Sequence, residues 1–165
     1  YKYYLDACKK FGIKKIRFSL IAPNKEKNNE FILFNELKSF VPFIIQFVKE
    51  ATKKRLKLIL DFPIPYCIFN STERDFLKKK TELHGKCSAG IGFITINPDL
   101  SVLACSPTLI KGPKLDSFPS LNQIDDYFRT ATEGIRWKTL LFSKCKSCRY
   151  RIRRECQGGC LCYKI

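Results

Sequence analysis

Methionine is absent from these 165 residues, histidine and tryptophan occur once each, and 15 acidic residues face 31 basic ones. Without an initiating methionine the chain reads as a fragment or a processed product. No uninterrupted apolar run nears the roughly 20 residues of a membrane-crossing helix, which excludes that element. The first residues lack the charged, apolar, small-residue order of a signal peptide. The lone histidine, His84, falls in a polar stretch and reads as a surface residue rather than a ligand. There is no serine–histidine constellation and no phosphate-cradling glycine loop. Asp61 and Asp99 have no partnered carboxylate, so no general acid–base pair is expected. Internal repeats and low-complexity tracts are missing too. What is present is a hydrophobic content of 45% with 13% aromatics, enough for a real core in one domain or parts of two.

Nine cysteines stand out, and they are clustered. Cys145-Lys-Ser-Cys148 is followed by Cys156-Gln-Gly-Gly-Cys160 and then Cys162, five thiols within eighteen residues. A C-x-x-C turn brings two sulfurs onto one ion, because the intervening amides curl toward thiolate charge. Gly158 and Gly159 permit the positive φ that lets backbone N–H groups approach sulfur. This spacing is that of metal ligands in a reducing compartment, not of a spread disulfide framework. Spacing alone admits a structural zinc site of four thiolates as readily as an iron–sulfur cluster. A disulfide-linked secreted basic protein is a third, weaker option.

Periodicity divides the chain. Tyr4, Ala7, Cys8 and Phe11 share a helical face that ends at Gly12, and Cys8 on that face reads as an inert buried thiol. Ile16, Phe18 and Leu20 alternate as a strand over 15–21. Leu37 to Ala51 repeats at helical spacing, with Pro42 either in the first turn or at a kink. Leu56 to Phe62 is a second apolar strand, and strand–helix–strand implies parallel pairing through a crossover. Residues 70–86, rich in lysine, read as a linker. Two apolar runs, 92–96 and 101–104, flank Asn97-Pro98-Asp99-Leu100 as a β-hairpin whose closure would bring Cys87 and Cys105 together. Ser120-Leu-Asn-Gln123 has the pattern of a capping box that opens a helix, broken by Gly134 and followed by a short helix over 135–142. Trp137 reads as packing.

Cys87, hairpin, Cys105, a helical gap, then Cys145, Cys148, Cys156 and Cys160 resembles the SPASM domain of radical S-adenosylmethionine enzymes. The preceding segments, Phe11 to Phe18, the long helix and Leu56 to Cys67, resemble the last helices and strands of that family's partial barrel. The fold this implies is α/β: residues 1–69 as the C-terminal portion of a partial (β/α) barrel, 70–86 as a linker, and 87–165 as a small α+β cysteine-rich SPASM-type domain. By the same resemblance, one auxiliary 4Fe–4S cluster would use Cys87, Cys105 and Cys160, with Cys67 as the upstream candidate for its fourth ligand. A second would use Cys145, Cys148 and Cys156, with Cys162 or a cysteine further downstream. Leu100 stands where the family has glycine, and seven residues rather than five separate Cys148 from Cys156. The C-x3-C-x2-C loop that binds the catalytic cluster and S-adenosylmethionine is not in these residues.

The resemblance implies a cytoplasmic enzyme that oxidatively modifies a peptide or protein, served by an electron donor such as a flavodoxin or ferredoxin, with S-adenosylmethionine and a third cluster held in a missing N-terminal part. Neither a membrane nor nucleic acid is an expected partner. The formal charge is +16 with cysteines neutral. Two thiolate-bound clusters would lower it to about +12 by formal valence. The alternative is a non-enzymatic zinc module that binds nucleic acid through Arg149-Tyr-Arg-Ile-Arg-Arg154.

Overall fold

A computed structural model describes residues 1–60, 63–83 and 85–165. Asp61, Phe62 and His84, and with them the expected end of the second strand and the lone histidine, lie outside the described residues. The architecture is mixed α/β.

Helix α1 (Lys2–Lys10) buries Leu5 and Cys8, while Tyr4 and Phe11, expected on the same face, are exposed. Gly12 closes it at φ 68, with Gly12 N–H donating to Lys9 and Ile13 N–H to Cys8. Those two bonds satisfy the last carbonyls in the paired pattern that a left-handed glycine permits. Strand β1 (Lys15–Phe18) leads to a 3-10 turn at Leu37–Phe40 and then α2 (Val41–Lys53). Pro42 lies in the first turn of α2, where its missing N–H costs nothing. Ile44, Phe47, Val48 and Ala51 face inward, each large side chain worth about 1.5–3 kcal/mol on burial.

Strand β2 (Lys57–Leu60) pairs parallel with β1, Ile16 opposite Leu58 and Phe18 opposite Leu60. The stretch read as a linker is instead structured. Helix α3 (Ser71–Lys80) is capped by Asn70, which accepts from Glu73 N–H while the Glu73 carboxylate accepts from Asn70 N–H. Strand β3 (Thr81–Leu83) then pairs parallel with β2, giving a sheet in the sequential order β1-β2-β3. Its lysines hid a helix that needs only Leu77 and Arg74 for its buried side. Among the described residues, sixteen buried ones around Leu5, Leu37, Ile44, Leu58, Leu60 and Leu77 form the core of this half.

The second half is built on an antiparallel sheet: β4 (Thr95–Ile96), β5 (Ser101–Leu103) and an additional strand β6 (Lys111–Lys114). Asp99 serves the hairpin turn, accepting from Ser101 N–H and Oγ–H, bonds that hold its carboxyl below the ordinary range. Leu100 adopts φ 64, so the turn keeps the left-handed conformation for which glycine is suited. Helix α4 (Leu121–Glu133) begins where the sequence places it, but the Ser120 side chain makes no cap bond; Gln123 N–H donates to the Ser120 carbonyl instead. Gly134 does not break the helix. The chain widens into a π-helical turn at Gly134–Lys138, and no second helix fills 139–142. Val102, Ala104, Ile124 and Phe128 are this half's small core, and glycines at 90 and 112 admit the Phe128 side chain: a Cβ at 90 would lie 2.5 Å from Phe128 Cβ, and one at 112 would lie 2.8 Å from its Cζ.

Candidate metal centre

The cysteine-rich tail folds back across both halves. Tyr163 Oη donates to the Ile32 carbonyl at 2.7 Å, and Phe34 stands edge-on to Tyr163 and Phe142. Gln157 N–H donates to the Gly85 carbonyl at 2.9 Å. Between these anchors, Gly158 and Gly159 take φ 87 and 99. At Gly159 a Cβ would lie 3.2 Å from Pro65 Cγ and 3.3 Å from the Pro63 carbonyl oxygen, so the tail crosses closely over the segment that precedes Cys67.

That crossing sorts the thiols. Cys67, Cys145, Cys148 and Cys156 line one cavity, with Phe34, Pro65 and Tyr66 among its other walls. The Cys156 thiol is pushed up by burial and then by Cys148 and Cys145, partly offset by backbone N–H donors that include Gly158 at 3.4 Å. Cys67 is exposed as a residue, yet its thiol is pushed up by burial and next by Cys156. On the other side of the crossing, Cys160 interacts thiol to thiol with both Cys162 and Cys87. The Cys162 contact, followed by burial, pushes Cys160 up to about 12. Cys87 is driven far above the ordinary thiol range, first by the Cys160 hydrogen bond and then by burial. Cys105 is raised by burial and then by Cys87, and the turn that it opens at Ser106–Thr108 packs on the turn that Cys160 opens at Leu161–Tyr163.

All eight cysteines singled out in the sequence thus gather at this crossing, while Cys8 is buried in the first core. Cys67 stands beside Cys145 and Cys156 rather than beside Cys87, and Cys162 beside Cys160. Among the described residues no three His, Cys, Asp or Glu side chains converge into a ready-made coordination shell. The donor set nevertheless suits a soft metal, since it is all sulfur.

Arg136, on the π-helical turn, braces one side and was not singled out in the sequence. It is 1% exposed and makes no ion pair among the described residues. Its guanidinium donates to Thr132 Oγ1 at 2.7 Å, the Cys87 carbonyl at 2.6 Å, Gln157 Oε1 at 3.1 Å and the Ala89 carbonyl. Gln157 Oε1 also accepts from Cys87 N–H at 2.9 Å. Lys164 caps the same turn through the Ile135 and Arg136 carbonyls, and burial lowers it to about 8. In a chain with 31 basic residues nothing marks one arginine as internal.

The basic run lies at the surface and makes contacts with the fold. Tyr150 packs edge-on against Tyr66 and lies under Arg74 and Arg149, at 4.9 and 4.8 Å from its ring centre. Arg151 donates to the Arg136 and Trp137 carbonyls, and Arg154 covers Trp137 and pairs with Glu133. These contacts tie Arg149, Arg151 and Arg154 to neighbouring elements, while Arg149, Arg153 and Arg154 stay exposed. No helix among the described residues is long and apolar enough to cross a membrane. No family model, characterised protein or solved structure matches the chain.

Proposed function

We propose that this chain is the C-terminal part of a radical S-adenosylmethionine enzyme that modifies a peptide or protein, and that its cysteines hold auxiliary 4Fe–4S clusters. The observation that carries the reading is the gathering of eight thiols where the tail crosses an α/β half and a hairpin half. The sheet order supports it. Three parallel strands in sequential order, joined by α2 and α3, are what an arc of a (β/α) barrel requires, without the reversal of a doubly wound sheet.

Bound clusters would supply one-electron transfer. The protein's part is to exclude water with Phe34, Phe142 and Tyr163, and to set the local field with Arg136 and backbone N–H groups such as Gly158. Radical generation would belong to a part of the enzyme that carries the C-x3-C-x2-C loop and S-adenosylmethionine. A flavodoxin- or ferredoxin-type donor and a cytoplasmic setting complete the proposal. Anaerobic reconstitution with iron and sulfide, followed by iron and zinc counting on one sample, tests it. About eight irons per chain, with visible absorption bleached by dithionite, is the expected result. One or two tightly held zincs with iron excluded would replace the enzyme by a zinc-stabilised module.

A further inference from the structure

We propose that the eight cysteines form two self-contained four-thiol sites, Cys67 with Cys145, Cys148 and Cys156, and Cys162 with Cys87, Cys105 and Cys160. The assignment rests on the metal-binding part of the preceding proposal and exchanges the places that the family resemblance gives to Cys67 and Cys162.

The backbone supplies the reason. Cys156 and Cys160 are separated only by Gln157, Gly158 and Gly159, and both glycines are left-handed. A chain bent this sharply directs two nearby side chains to different sides of the crossing. Gln157, buried and tied to Gly85, Cys87 and Arg136, fixes the bend from the second half. Gly159 fixes it from the first half by lying against Pro63 and Pro65. Cys67 follows Pro65 by two residues and opens into the cavity shared with Cys145, Cys148 and Cys156. Cys162 belongs to the short turn opened by Cys160, which packs on the turn opened by Cys105. For Cys67 to ligate with Cys87 it would have to pass the Gly159 crossing. For Cys162 to join Cys145 the turn that seats Tyr163 on Ile32 would have to open.

Both sites then draw four thiolates from these residues, the number that a tetrahedral zinc or a 4Fe–4S cluster takes. Ligation pulls the thiols of each set inward and releases their protons. A site on each side of the tail also ties the first half to the second through Cys67, which hydrogen bonds alone do less firmly.

The test is a pair of ligand-deletion backgrounds on the full chain, read by metal content and by the spectrum of the cluster. In C145S/C148S one site is lost and about half the metal remains. Adding C67S should then change nothing, whereas adding C162S should lower or alter what is left. In C87S/C105S the pattern should invert, with C162S silent and C67S disruptive. Disruption by C67S in the first background, or by C162S in the second, overturns the assignment. Should a background fail to fold, partial loading of the unmodified chain followed by thiol alkylation gives the same answer. Cys67 should be protected together with Cys145, Cys148 and Cys156; protection together with Cys87 overturns the proposal. If the chain takes zinc and refuses iron, the enzyme reading falls while the same double and triple variants still decide the partition.

Discussion

The two halves solve the same problem with unequal means. Among the described residues, the first gathers a hydrophobic core of sixteen buried residues around a parallel sheet; the second gathers a cluster of four on Phe128 under a three-stranded antiparallel sheet. At about 25 cal/mol for each Å² of apolar surface removed from water, the smaller cluster offsets less of the entropy of ordering the chain than the larger one does. What it has besides is cross-linking: a buried guanidinium bonded to three segments, a tail anchored on the first half, and clustered thiols for which we propose a metal. Small units elsewhere use disulfides or zinc for this purpose, and the proposed metal binding would place seven of the nine cysteines after residue 86 in that role.

The comparison breaks most visibly at Phe128. Phe128→Ala should cost about 3–5 kcal/mol and melt the second half first. Limited proteolysis should then cut within 87–165 while 1–60 stays protected. Leu58→Ala in the first core should lower the urea midpoint but leave the other fifteen described members of that core in place, and a single shared transition in both variants would erase the distinction. Arg136→Met comes next. It leaves the Cys87 and Ala89 carbonyls without their buried donor, at about 1–3 kcal/mol each before relaxation, and should weaken metal retention at Cys87 more than at Cys67. Arg136→Lys should restore only part, since one ammonium cannot reach all four acceptors.

Smaller changes sharpen the contrast. Asn70→Ala removes the reciprocal cap of α3 and should cost about 1 kcal/mol in the first half, measured by urea denaturation, with no effect on metal content. Leu100→Gly should stabilise the second half by about 0.5 kcal/mol, the left-handed strain relieved less the entropy that glycine loses. A destabilised L100G would mean that the leucine side chain contributes more than its conformation costs.

Much of the first half was legible. Alternation at Ile16 and Phe18 and helical spacing from Leu37 to Ala51 placed β1 and α2, because one face of each element is apolar. Helix α3 was readable too, since Asn70-Ser-Thr-Glu73 is a capping signature, but three consecutive lysines made the segment look like a linker. Ser120-Leu-Asn-Gln123 has the same pattern without the side-chain bond, so the pattern marked the helix start and not its chemistry. The thiols to watch were visible from spacing alone. Their neighbours were not, because ligand order along a chain does not say where the chain crosses itself; that depends on Gly159 meeting Pro65. Arg136 gave no signal, since its burial depends on carbonyls from residues 87 and 89 that no local pattern announces.

The peptide around Cys87 is gripped from both sides, its N–H by Gln157 and its carbonyl by Arg136. In deuterated solvent that amide hydrogen cannot be replaced until Gln157 withdraws, and Gln157 is itself held to Gly85. Its exchange rate is therefore a clock for detachment of the tail as a unit, distinct from the fraying of nearby loops. A bound metal would slow that clock, and so make the opening of the tail visible at one backbone position.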